Sequence, residues 1–271
     1  MLDYVMEQAP AFLLATVRCF SLIMTLPLFS MRNIPTAAKA ALSIYMAFNI
    51  FGQVDFSSYA PYLLPEQTFT AQYLLLLAGE ALLGVIMGFY VSIIFSAFST
   101  AGQFFAFQMG FSASEVYDAL SQVENPLMGQ YLNLIATLVF MQSRLFQKLF
   151  LGGLVASFKT LSAWSIASDM AGGAVLPRFL ARSLTELFAN ALVISLPIMG
   201  TLMLITISVG MLSKAAPQMN LLSEGFPMML LVSFFILTAL MPSLIDAFSR
   251  CFDGGFARFE QLVLSLGGER L

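Results

Sequence analysis

Glu80 stands in an apolar run with no other charged residue between Ala81 and Gln103. A carboxylate in lipid is costly, so it must face a partner or water, and an ion pathway is the first function that such a residue suggests. Arg18, Lys39, Glu186 and Asp246 also fall within or at the ends of apolar runs. A proton relay needs a chain of titratable groups, whereas these are isolated, so the pattern points to pairing within the chain or across a subunit contact. Histidine is absent, and the two cysteines, Cys19 and Cys251, are far apart. That inventory excludes His/Cys zinc sites, His-dependent triads and CxxC redox pairs, and it leaves no catalytic, metal or cofactor-binding residue to nominate. With 12 basic residues scattered along the chain against 15 acidic ones, the footprint of a nucleic-acid binder is missing too.

The elements that must position these residues are hydrophobic. Of 271 residues, 59% are apolar and 10% charged, and the mean hydropathy is +0.86, the profile of a membrane protein rather than a soluble domain. Asp3 and Glu7 precede the first apolar run, so a basic signal-peptide n-region is missing and the first helix is expected to stay in the mature protein. A span takes about 20 apolar residues as helix. The runs near 10–31, 34–52, 71–101, 128–143 continuing into 145–160, 178–213 and 226–248 predict an all-α, polytopic integral membrane protein of six to eight long hydrophobic helices and helical hairpins. Most prolines punctuate the ends of these runs, while Pro197 lies inside the longest and is expected to kink it. Without an internal repeat or flexible linker, residues 1–248 read as one helical membrane domain. From 249 to 271, Phe252, Phe256, Phe259 and Val263 recur at helical spacing, the pattern of an amphipathic tail on a membrane or a partner, with a frayed terminus as the alternative.

Basic residues accumulate in short cytoplasmic loops. The acidic N-terminal flank, Arg32 and Lys39 in and beyond the first connection, and Asp55 with Glu66 in the next put the N-terminus on the outer side. Alternation then places the 102–127 connection inside, yet it holds Glu115, Asp118 and Glu124 and no basic residue. Either this loop is extracytoplasmic, or it lies inside an assembly where the rule for lipid-facing proteins does not apply.

Three motifs stand out. Gly84 and Gly88 follow Glu80 as a small-xxx-small pair that lets helix backbones approach, or as glycines of the kind common in membrane helices. Gln108-Met109-Gly110-Phe111-Ser112, leading through Asp118 to Pro126, starts apolar and turns polar. It suits a hydrophobic constriction that closes a pore, or an ordinary connection. The 17 Met and 27 Phe fit irregular cores first and a deformable gasket second. The third motif runs from Gly210 through Lys214, Ala215, Ala216, Pro217, Gln218, Met219 and Asn220 to Gly225, Phe226 and Pro227. Pro217 ends a helix, Lys214 complements its C-terminal dipole, and the two amides can hold a tight turn.

That third motif resembles the signature of the FliR family, the R subunit of the flagellar type III export gate and the T subunit of injectisomes. Lys214, Pro217, Gln218, Met219, Asn220, Gly225, Phe226 and Pro227 match it in order, Gly79-Glu80 with Gly84 fits the family's Gly-Glu motif, and residues 108–112 fit its Gln-x-Gly-Phe-Ser element. The chain departs where the family often has Asp-Pro (here Asp118-Ala119) and Asn-Gly-His (here Gln142-Ser143-Arg144). The resemblance implies a structural subunit, not an enzyme, in the bacterial inner membrane within the flagellar basal body. It implies assembly with P and Q subunits into a channel for unfolded flagellar proteins, with the A and B subunits as further partners and the proton-motive force as energy source. It also implies P-like and Q-like halves in a spiral of helices standing partly outside the bilayer, with faces against other subunits or lipid. A secondary transporter or ion channel is the alternative, but no inverted repeat supports it.

Overall fold

The computed structural model describes residues 8–29, 34–54, 56, 59, 70–110, 127–160, 175–215 and 225–266. Within them every regular element is helical: α1 (Ala9–Thr25), α2 (Thr36–Phe51), α3 (Ala71–Met109), α4 (Leu127–Gln142), α5 (Leu145–Gln147), a π-helix (Lys148–Leu154), α6 (Val155–Thr160), α7 (Val175–Ala215) and α8 (Phe226–Leu266). Pro10 occupies the first turn of α1 and Pro35 the N-cap of α2, positions where a missing N–H is tolerated.

Among the described residues the long hydrophobic helices are fewer than the six to eight expected from hydropathy. Three are long and apolar enough to span, at Ala71–Met109, Val175–Leu212 and Pro227–Val263, and the broken pair Leu127–Gln142 and Leu145–Lys159 makes a fourth candidate. The reason is length. α1 and α2 have 17 and 16 residues, short of the roughly 20 a bilayer core requires. The last two runs, in contrast, each form a single 41-residue helix. α7 continues through Pro197, where the Thr201 hydroxyl donates to the Pro197 carbonyl at 2.9 Å. α8 continues past residue 248, and Phe252, Phe259 and Val263 in it are buried.

The described residues group into two compact units. The first comprises 1–93, 144–183 and 254–271, and the second 94–143 and 184–253. In the first, the Tyr73 hydroxyl donates to the Pro10 carbonyl at 2.8 Å and the Ser92 hydroxyl to the Thr25 carbonyl at 2.9 Å, so α1 and the first part of α3 run parallel and are tied at both ends. Gly84 and Gly88 lie on the contact. An ideal Cβ at Gly84 would overlap the Ser21 hydroxyl and the Arg18 carbonyl, and one at Gly88 would overlap Thr25. Tyr90 stacks on Phe259, with centroids 5.5 Å apart, meets Phe179 at 5.0 Å, and donates its hydroxyl to the Gly255 carbonyl at 2.8 Å.

The second unit is built on phenylalanine. Phe98 meets Phe248 at 4.3 Å and Phe252 at 5.1 Å, while Phe95 meets Phe140 at 5.4 Å. Here too a glycine admits a backbone, since a Cβ at Gly102 would collide with the Met128 carbonyl and Gly129.

Candidate functional site: a buried charge cluster and two motif segments

Arg18 lies on the buried face of α1 with Leu14, Ala15, Cys19 and Leu22, and Glu80 on the buried face of α3 with Tyr73, Leu76, Leu83 and Met87. Spacing by three and four residues puts each set on one helical stripe, and the parallel packing brings the two stripes together. Arg18 Nε donates to Glu80 Oε2 at 2.5 Å, and both side chains are completely buried. The other carboxylate oxygen, Oε1, accepts from the Tyr59 hydroxyl at 2.6 Å. Arg18 Nη1 donates to Ser157 Oγ at 3.0 Å, and that hydroxyl donates in turn to the Leu154 carbonyl at 2.7 Å. The guanidinium also lies 3.7 Å from the centre of the Phe158 ring, a cation–π contact strengthened by the dry surroundings.

Four chain segments therefore converge on one neutral, hydrogen-bonded pair: α1, the connection holding Tyr59, α3 and α6. Charge buried without this compensation would be costly. Both carboxylate oxygens are engaged, so the pair ties these segments together. Of the other charged residues in or beside apolar runs, Lys39 is buried near the start of α2, Glu186 is half-buried and Asp246 is exposed, and none joins this cluster. No group of three or more His, Cys, Asp or Glu suited to a metal ion occurs among the described residues.

The loop motif is only partly in view. Gln108 is half-buried, Met109 is 1% exposed at the end of α3, and Gly110 turns the chain with φ 83°, a left-handed conformation that suits glycine. Phe107, at 74% exposure, is the bulky apolar group that this helix end presents outward. Phe111, Ser112 and Asp118 lie outside the described residues. So do Pro217, Gln218, Met219 and Asn220 of the third motif. Its flanks are visible: Lys214 is exposed near the end of α7, Gly225 is half-buried, Phe226 begins α8, and Pro227 is exposed in its first turn.

Residues 9–255 match the family described as bacterial export proteins, family 1. Its match covers nearly the whole described chain, both units included. The chain belongs to the FliR family of bacterial export proteins. The flagellar biosynthetic protein FliR of Bacillus subtilis is 31% identical over 240 residues, 89% of each chain. That of Escherichia coli K12 is 28% identical over 250 residues, 92% of this chain and 91% of its own. The Borreliella burgdorferi protein is 33% identical over 179 residues, 66% of each. In this member of the FliR family, Tyr59, Ser157 and Phe158 are the site residues that sequence reasoning missed. Only one signal pointed to them: an arginine and a glutamate in apolar runs have more hydrogen-bonding atoms than one contact can satisfy.

Proposed function

We propose that this protein is a structural subunit of the flagellar type III export gate in the bacterial inner membrane. It assembles with P and Q subunits around a channel for unfolded flagellar proteins, with A and B subunits docking beside it in the basal body. The observation that carries the reading is the match to flagellar FliR proteins along almost the full chain. Helix length supports it. A 41-residue helix is about 60 Å long, twice the roughly 30 Å of a bilayer core. Apolar side chains exposed from Leu184 to Leu212 therefore have room for neighbouring subunits as well as lipid. Large exposed apolar surface of this kind marks an interface.

In this reading the segment after Gly110 closes the channel at rest. Met109 serves as its buried root, and Phe107 with Phe111 supplies the apolar barrier that excludes water. The motif Pro217-Gln218-Met219-Asn220 serves assembly. Co-expression with P and Q subunits and native mass measurement of the purified complex tests the subunit assignment; a chain that purifies alone as a monomer or homo-oligomer would sink it. Deletion of residues 112–123 is expected to leave that complex intact and raise its ion conductance in planar bilayers. An assembled deletion complex as tight as the parent would show that the loop is not the plug.

A further inference from the structure

The first unit buries two cations and serves them unequally. Arg18 has Glu80, Ser157 and Phe158. Lys39, 7% exposed, has no hydrogen-bond or ion-pair partner for its ammonium among the described residues. Its place is set by packing: Lys39, Ser43, Ala47 and Ile50 form the buried stripe of α2, which packs on α1. Phe51 at the end of α2 meets Phe12 near the start of α1 at 5.5 Å, so the two helices run antiparallel and Lys39 lies level with the last turn of α1. No anion waits there. From Gln8 to Val54 the sequence contains no acidic residue, and the α1 carbonyls of Leu22 and Thr25, with that of Leu26, already accept from the Leu26 N–H, the Ser92 hydroxyl and the Phe29 N–H. A buried charge left in this state is costly.

The start of α2 makes a second demand for an anion. Ala38 and Lys39 both donate their backbone N–H groups to the Pro35 carbonyl, at 3.0 and 3.3 Å. Pro35, at the N-cap, offers no side-chain acceptor, so the N–H groups of Thr36 and Ala37 have none among the described residues, and Thr36, Ala37 and Ala38 are exposed. Free N–H groups at the positive end of a helix dipole form a ready phosphate site. A lysine in the first turn leans back toward that end, where its own charge is unfavourable until an anion arrives. The outward face that follows is apolar. Ala41, Ile44 and Tyr45 are exposed, the last two at 49% and 62%, and they begin about 8 Å beyond Thr36 along the helix axis. A soluble phosphate has no use for that strip, whereas a phospholipid brings an anion and an acyl chain together.

We propose that the start of α2 binds the phosphate of an anionic phospholipid: Lys39 supplies the counter-charge, Thr36 and Ala37 the N–H donors, and Ala41, Ile44 and Tyr45 the strip along which an acyl chain lies. Removing an unpaired buried charge does not threaten the fold, so Lys39→Gln is a usable variant. Thr36→Glu is the second: it puts a carboxylate of the chain's own in the first turn, where acids are favoured, and three residues from Lys39, within pairing distance. The purified full chain in detergent is titrated with phosphatidylglycerol, phosphatidylcholine or inorganic phosphate, and bound lipid is counted by native mass spectrometry. The parent is expected to hold phosphatidylglycerol about tenfold more tightly than phosphatidylcholine, roughly what one hydrogen bond to a charged group is worth. Both variants are expected to lower phosphatidylglycerol to the level of phosphatidylcholine, while Lys159→Gln, at an exposed lysine of the same unit, leaves it as in the parent. Equal binding of the two lipids by the parent, parent-like binding in either variant, or the same loss in Lys159→Gln overturns the site. Displacement of phosphatidylglycerol by inorganic phosphate at equal concentration would show a soluble anion and overturn the lipid assignment. A Lys39→Gln chain that keeps its lipid but no longer joins P and Q subunits would also overturn it, by assigning the charge to a carboxylate of a neighbouring subunit.

Discussion

The two units close their cores by different means. In the first, an ion pair, a tyrosine, a serine and a phenylalanine meet around Arg18 and Glu80. In the second, the largest buried groups are rings: Phe95, Phe98, Phe105, Phe140, Phe248 and Phe252. Both admit close backbones through glycine, at Gly84 and Gly88 in one and at Gly102 in the other. The difference lies in directionality. Lipid tails are as apolar as leucine, so burying a ring inside a bilayer gives little drive to associate, and shape and hydrogen bonds must specify which helix meets which. A guanidinium with a carboxylate has one good geometry, whereas rings tolerate several. The first unit is therefore the more directionally specified frame, and it is also the unit that holds the π-helix.

The largest expected effect breaks the frame. Glu80→Leu removes the counter-charge and leaves the Arg18 guanidinium buried without its ion-pair partner, a loss of about 3–5 kcal/mol. For a domain of this size that corresponds to a fall of roughly 10 °C in the unfolding midpoint of the purified protein in detergent. Arg18→Met/Glu80→Leu, which replaces both charges with apolar groups of similar size, is expected to recover most of the loss. A double variant as unstable as the single would mean that packing volume, not charge pairing, holds the first unit.

Much of this frame was legible in the sequence, but not its closure. Glu80 with Gly84 and Gly88 announces a contact helix, because a charge in an apolar run needs a partner and small residues let a neighbour approach. The partner's identity depends on α1 and α3 lying parallel, a tertiary fact that periodicity does not encode. Tyr59 was hidden for another reason: it lies in a connection that reads as an acidic loop, where an aromatic residue signals nothing. The helix count failed because hydropathy measures length in apolar residues, and it cannot tell a 17-residue core helix from a span, nor foresee that α8 runs through its change of polarity at Arg250. The π-helix left no mark except Gly152-Gly153, which reads equally well as ordinary membrane-helix glycine.

A smaller effect sharpens the same contrast. Tyr59→Phe removes a single oxygen, yet that hydroxyl is the donor to Glu80 Oε1 at 2.6 Å. Losing a hydrogen bond to a buried charge costs about 1.5–3 kcal/mol. The thermal midpoint in detergent is expected to fall by less than with Glu80→Leu, with the loss disappearing in the Arg18→Met/Glu80→Leu background, where no carboxylate remains to be satisfied. Equal destabilisation in both backgrounds would separate the Tyr59 hydroxyl from the ion pair.

The smallest effect is expected at the ring that touches most of the second core. Phe252 lies 5.1 Å from Phe95, 5.1 Å from Phe98 and 5.3 Å from Phe140. Leucine there keeps the site apolar and most of its volume filled, and swaps of that kind usually cost under about 1.5 kcal/mol. Two outcomes are physically distinct. Ring pairs contribute about 0.5–1.5 kcal/mol each beyond the area they bury, so three fully additive losses would bring Phe252→Leu up to the cost of Glu80→Leu. The remaining rings still pair among themselves, Phe95 with Phe140 and Phe98 with Phe248, and they can close on the smaller side chain, which is why the lower value is expected. Unfolding midpoints of Phe252→Leu and Glu80→Leu, measured side by side in one detergent, decide the matter. A clear gap means that the aromatic core is adaptable and the charged core is not, while equal losses would make ring geometry as specific as the ion pair.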